Sequence, residues 1–185
     1  VKQERILPLA ITSGFVFAAQ GALVILVQLY LRELDAQPLI ISLTTSLGWL
    51  GVLIGGSFWG MISDYRSRES LFFVILATSA VTIGVLALLP PALGVLPAVF
   101  FRIFLITGIT PIAMTIVSKA SSMRRRGRNL SFISSAKTLG FMLGGAIAGF
   151  LLEAGGFRWS FLALASLPLF AFPFLVCLPQ QEKEG

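Results

Sequence analysis

The chain has 185 residues, 56% of them hydrophobic and only 12% charged, with a mean hydropathy of +0.92. That balance excludes an ordinary soluble domain. The formal net charge of +6 is read as membrane topology and not as nucleic-acid affinity, because the basic residues fall almost wholly in short loops between apolar runs.

Six apolar runs can be cut out, each of roughly the twenty residues needed to cross hydrocarbon. They are Ile6 to Leu31, Leu39 to Ile62, Leu71 to Leu89, Val95 to Ser118, Phe132 to Leu152 and Trp159 to Leu178. The pattern predicts an all-α integral membrane fold, with residues 1–185 forming one six-helix transmembrane domain in the lipid bilayer. The first run is too long, and is followed by too many others, to be a cleaved signal peptide. The chain starts at Val1 and not at methionine, as a chain processed or excised from a longer one does. The tail Gln180 to Gly185 has the composition of a linker or of a natural terminus.

Counting Lys and Arg orients the helices. Lys2, Arg5, Arg66, Arg68, Lys119, Arg124, Arg125, Arg126, Arg128 and Lys183 fall on one side, and Arg32 and Arg158 on the other. Both termini are therefore expected in the cytoplasm, with the protein in the inner or plasma membrane.

In the first helix Gln20 sits near the midpoint, where an amide must hydrogen-bond within protein or face a cavity, and Gln28 lies nearer the mouth. The second helix carries Gly51-x-x-x-Gly55 and Gly56-x-x-x-Gly60, and the fifth carries Gly140-x-x-x-Gly144 and Gly145-x-x-x-Gly149. Small residues four apart let backbones approach closely, either inside the bundle or against a second one. The short, uncharged loop Pro90 to Gly94 makes the third and fourth helices antiparallel neighbours. Arg102 lies about 10–12 Å into the fourth helix at 1.5 Å per residue, and an ionisable group at such depth is a functional candidate by default. Pro111 is expected to kink the same helix and free a carbonyl near Thr107. All eight acidic residues lie at helix ends or in loops, so no carboxylate is available at mid-membrane to carry a proton. The absence of histidine removes Ser-His catalysis, H-E-x-x-H zinc chemistry and most transition-metal sites, so neither an enzyme nor a metal or cofactor site is expected. Lone Cys177 can form no internal disulfide.

The turn between the second and third runs, Gly60-Met61-Ile62-Ser63-Asp64-Tyr65-Arg66-Ser67-Arg68-Glu69, resembles the G-x-x-x-D-R-x-G-R-R/K loop of the major facilitator superfamily. Gly60, Asp64 and Arg68 match it, while Tyr65, Ser67 and Glu69 depart from it. Arg102 is similar to that family's fourth-helix arginine, Arg126-Gly127-Arg128 to the R-G-R before its fifth helix, and Gly156 to Phe161 to its G-W-R-W-x-F at the start of the sixth. Gly144-Gly145 stands where the family's antiporters have Gly-Pro. Gly149-x-x-x-Glu153 with Arg158 also echoes Gly60-x-x-x-Asp64 with Arg66, as inverted three-helix repeats at about 1–92 and about 93–180 would.

The resemblance implies the N-terminal six-helix half of a transporter that works by alternating access on a small organic solute. Efflux is the preferred direction, with uptake or a non-transporting assembly domain as alternatives. A second six-helix half, covalent in a longer parent or a second copy, is the implied partner. The resemblance makes Gln20, Arg102, Thr107 and Thr110 candidate wall residues of the cavity. It makes Gly60, Asp64, Arg66 and Arg68 a conformational-switch loop. Gly51, Gly55, Gly140, Gly144, Gly145 and Gly149 become packing or interface positions.

Overall fold

The computed structural model describes residues 6–65 and 68–170. The fold is helical: α1 Ile6–Glu33, α2 Pro38–Tyr65, α3 Arg68–Leu86, α4 Ala92–Thr107, α5 Ile109–Ala120 and α6 Arg126–Phe170. Among the described residues four stretches are long and apolar enough to cross a membrane, Ile6–Glu33, Pro38–Ser63, Ala92–Lys119 and Arg126–Phe170. Ser70–Leu86 is a shorter apolar helix.

The fourth predicted run is thus α4 and α5 in line, and α6 holds the fifth and the described part of the sixth. Two boundaries differ from the sequence reading. The third helix ends at Leu86, and the turn after it brings Leu89 to a positive φ of 52°. The break placed between Leu152 and Trp159 narrows to Gly156, whose φ of 70° and ψ of −176° interrupt an otherwise continuous helix. That backbone region is essentially open to glycine alone, so the chain bends within one residue while Glu153 and Arg158 on either side stay exposed. The last part of the sixth run, with Cys177, lies outside the described residues.

α1 is the most enclosed of the long helices, and it packs most extensively along α6. Small residues make this possible. A Cβ added at Gly21 would overlap the Phe141 carbonyl, one at Gly140 the Gly14 carbonyl, and one at Gly144 the carbonyl of Ala18. The two backbones touch along this seam, which is how helices associate where lipid supplies no hydrophobic drive. α2 runs along α4 in the same manner, and added Cβ atoms at Gly51 and Gly55 would lie 3.0 Å and 2.7 Å from the carbonyl oxygens of Phe100 and Phe104. One turn further on, Trp59 donates its Nε1 proton to the Phe104 carbonyl at 2.8 Å.

The core is divided along the helices into two apolar clusters. One gathers Leu9 and Val16 of α1, Phe72 and Leu76 of α3, Ile106 of α4 and Ile112 of α5. The other gathers Leu23 and Leu26 of α1, Ile83 and Leu86 of α3, Val99 of α4 and Phe161 of α6. Gln20, Ser79 and Arg102 occupy the gap on their respective helices. Gln20 is about 21 Å along α1 from Ile6 and about 20 Å from Glu33 at 1.5 Å per residue, so the polar layer lies at mid-depth.

Replacing Gly144 by Leu should cost at least about 1–3 kcal/mol, because its side chain would have to displace the α1 backbone. Gly149→Leu, where an added Cβ meets nothing within 4 Å, should be tolerated. Thermal unfolding of the two variants in the same detergent, followed by size-exclusion fluorescence, checks the difference. Equal midpoints would refute the seam.

Candidate functional site

Arg102 is only 1% exposed. Its Nη1 donates a short hydrogen bond to the Gln20 side-chain oxygen. Its Nε–H is buried with no partner among the described residues. α1 and α4 position the pair, each presenting its residue in the gap between the two apolar clusters. A cavity of about 250 Å³ opens beside them, lined by Gln20, Gln28, Trp49, Arg102, Ile103 and Phe141 among others. Its walls come from α1, α2, α4 and the first half of α6.

A second cavity, of about 420 Å³, lies beside the first. Gln20, Val52 and Ile103 line both. Phe17, Thr107, Thr110 and Pro111 complete much of the second wall. The Thr107 hydroxyl is turned back onto the Ile103 carbonyl of its own helix at 2.7 Å. Thr110, in contrast, accepts a hydrogen bond at 2.8 Å from the ammonium of Lys137 on α6. Lys137 also stands 4.5 Å from the ring centroid of Phe17, within the range of a cation–π attraction.

Pro111 acts as its position predicts. It has no N–H to give the Thr107 carbonyl, and the helix is interrupted one turn earlier, between α4 and α5 at Gly108. The Gly108 N–H turns to Leu105 at 3.3 Å, which leaves the Phe104 carbonyl to Trp59. The break lies six residues after Arg102, next to Thr107, which lines the second cavity. An added Cβ at Gly108 would lie 2.6 Å from the Trp59 ring, so a larger residue at the break would have to displace the indole.

The predicted positions separate into groups. Gln20 and Arg102 are bonded to one another, and Thr107 and Thr110 line the neighbouring cavity. Gly51, Gly55, Gly140 and Gly144 are taken up by helix contacts inside the bundle. An added Cβ at Gly145 would meet only the Ile25 side chain at 3.3 Å, and one at Gly149 or Gly60 nothing within 4 Å. Gly60 lies in the last turns of α2, where the Ser63 hydroxyl bonds its carbonyl at 2.8 Å. Arg66 and the side chains of Asp64 and Arg68 lie outside the described residues.

Lys137 is the residue that sequence reading passed over. It lies inside the Phe132 to Leu152 run, and the rule that singles out Arg102, an ionisable side chain within an apolar span, applies to it equally. Phe17 and Trp49 carried no such signal, since an aromatic residue in an apolar helix is ordinary.

The family model of the Major Facilitator Superfamily matches residues 9–185. The chain belongs to the Major Facilitator Superfamily. Among its relatives, the multidrug efflux pump Tap of Mycolicibacterium fortuitum is 31% identical over 131 residues, covering 68% of this chain and 32% of the relative. The putative niacin/nicotinamide transporter NiaP of Bacillus subtilis (strain 168) is 23% identical over 185 residues, 99% of this chain and 46% of the relative. The niacin transporter NiaP of Acinetobacter baylyi is 26% identical over 123 residues, 66% of this chain and 28% of the relative. This major facilitator chain therefore spans less than half the length of these relatives.

Within this superfamily member the Arg102–Gln20 bond is tested by a double-mutant cycle. Gln20→Leu leaves a buried guanidinium without its described acceptor and should destabilise by about 1–3 kcal/mol, while Gln20→Leu with Arg102→Leu should recover much of that loss. Thermal midpoints of the four proteins give the coupling. Strict additivity would mean that the two side chains do not interact.

Proposed function

We propose that this chain is one half of a secondary carrier that moves a small organic solute by alternating access. The observation that carries the reading is the buried Arg102, bonded to Gln20 at mid-depth and lining a cavity between α1, α2 and α4. A buried cation at the bilayer centre is costly, and a site where solute binds is a reason to keep it. A second six-helix half, following in a longer parent or supplied by a second copy, closes the cavity from the other side. The relatives' greater length supports this. Rocking of the two halves then exposes the site to each face in turn. The Gly60 to Arg68 turn is the switch of that motion, with Asp64 meeting the positive N-terminal end of a helix of the second half in one state and leaving it in the other.

Efflux is the direction proposed, and the efflux pump among the relatives supports it. The protein is placed as a multi-pass protein of the inner or plasma membrane with both termini cytoplasmic. The exposed arginines 124, 125, 126 and 128 between α5 and the body of α6 support that orientation.

Native mass in nanodiscs, followed by flux in proteoliposomes across a panel of small organic solutes under a pH gradient, tests the reading. Twelve helices, as a homodimer or a joined pair of halves, should carry flux. Arg102→Ala should reduce that flux at least about tenfold, a barrier change near 1.4 kcal/mol, with insertion and native mass unchanged. Flux that survives the change would remove Arg102 from the site. Loss of assembly with no flux in the parent would make the chain an assembly domain. Accumulation by everted membrane vesicles marks efflux, and loss from them marks uptake.

A further inference from the structure

Arg102 stands in the wall of the first cavity, Lys137 is bonded to Thr110 and lies over Phe17 in the wall of the second, and among the described residues neither wall carries an anion. Arg102 has a single described acceptor, the neutral amide oxygen of Gln20, although a guanidinium presents five N–H donors. Its Nε–H is buried with no partner among the described residues. Lys137 has one described acceptor, the neutral hydroxyl of Thr110, and the face of Phe17. Neither has a carboxylate partner among the described residues. In the sequence every Asp and Glu falls at a helix end or in a loop, a long way along the helix axes from the level of Gln20.

These groups form one band. Gln20 and Phe17 are three residues apart on α1 and so share a face. Gln20 bonds Arg102, Phe17 lies under Lys137, and Thr110 bonds Lys137. Gln20 also lines both cavities, so the space beside Arg102 and the space beside Thr110 adjoin. The rest of the first wall is mostly apolar, with Val24, Trp49, Val52, Val99, Ile103 and Phe141.

Arg102 at mid-depth and Lys137 behind the adjoining wall, neither with a carboxylate partner among the described residues, attract an anion, and an apolar wall with an aromatic ring on it attracts a flat hydrocarbon body. We propose that the solute is an organic anion, a monocarboxylate on a small aromatic body. Its carboxylate bridges Arg102 and Lys137, and its ring lies against Trp49 and Phe141. The guanidinium donates to it in place of, or beside, the Gln20 oxygen, and the carboxylate accepts from the buried Nε–H, which has no partner among the described residues. This rests on the carrier reading of the same site and adds the chemical class of the solute.

The test measures binding and not flux. Radiolabelled benzoate and benzamide, which match in shape and differ in charge, are offered by equilibrium dialysis to the chain in nanodiscs, with empty nanodiscs as the blank. Benzoate should bind about tenfold or more tightly than benzamide, the scale of one charge-assisted hydrogen bond. Arg102→Gln and Lys137→Gln should each remove most of that preference and leave benzamide binding where it was. Arg102→Lys, which keeps the charge, should retain part of it. Should Arg102→Gln fail to fold, Lys137→Gln, whose side chain is only partly buried, carries the test alone.

Equal binding of the two probes, or a preference that survives loss of Lys137, overturns the proposal. So does benzoate binding to the six-helix chain that disappears in the twelve-helix assembly, because a carboxylate of the second half would then be the true counter-charge. Charge-selective binding without any flux would overturn the carrier reading and leave the anion site standing. Flux that prefers benzamide would do the reverse.

Discussion

Backbone contact between α1 and α6 sets the distances on which the site depends. At Gly14 against Gly140 and Ala18 against Gly144 nothing but hydrogen separates the two main chains. Lys137 lies one turn before Gly140, and Phe17 lies within one turn of both Gly14 and Ala18. The close crossing therefore delivers the lysine ammonium onto the phenylalanine face and across to Thr110 on α5. Side chains of ordinary size at those positions would hold the helices further apart, and the ammonium could not make both contacts. A packing device that looks purely structural thus places a cation against Thr110 and Phe17, which line the second cavity.

The second constraint comes from α4 and α5. A helix in hydrocarbon must satisfy its backbone internally, yet Pro111 removes one donor and the break at Gly108 displaces another. Trp59 meets part of that cost by taking the Phe104 carbonyl, so the interruption is held by α2 and is not left open. Trp59 immediately precedes Gly60, the start of the family's signature turn. The Gly60 end of α2 is thereby bonded to the place where the cavity-lining fourth helix is divided. A motion of α2 at its Gly60 end would be felt at the break through a single hydrogen bond and the packing around it.

Much of this was legible in the sequence, and the unequal legibility has physical causes. The apolar runs showed the helices because span length in lipid is fixed and charge cannot stay inside it. Arg102 stood out for the same reason, and Pro111 announced the α4/α5 break. Glycines at four-residue spacing gave close approach but not the neighbour, since Gly140 and Gly144 face α1, and its own small residues Gly14, Ala18 and Ala22 are common in any membrane helix. The break at Gly156 was blurred because a single glycine with positive φ turns the chain without a polar loop to mark it. Lys137 carried a plain signal that was submerged in a long apolar run. Its link to Phe17 joins residues 120 positions apart, and no local pattern contains it.

The energetics of Arg102 argue that its place is not explained by the stability of this bundle. Withdrawing a cation from water costs several kcal/mol even after relaxation, and one hydrogen bond to a charged group returns about 1.5–3 kcal/mol. Gln20 supplies that one bond, and the Nε–H receives none among the described residues. A leucine at the same position would join the Val99 and Ile106 clusters above and below it with no such deficit. Among the described residues Arg102 has one neutral acceptor, and a cavity stands beside it. That is the arrangement expected of a site whose remaining bonds are made by something that arrives and leaves.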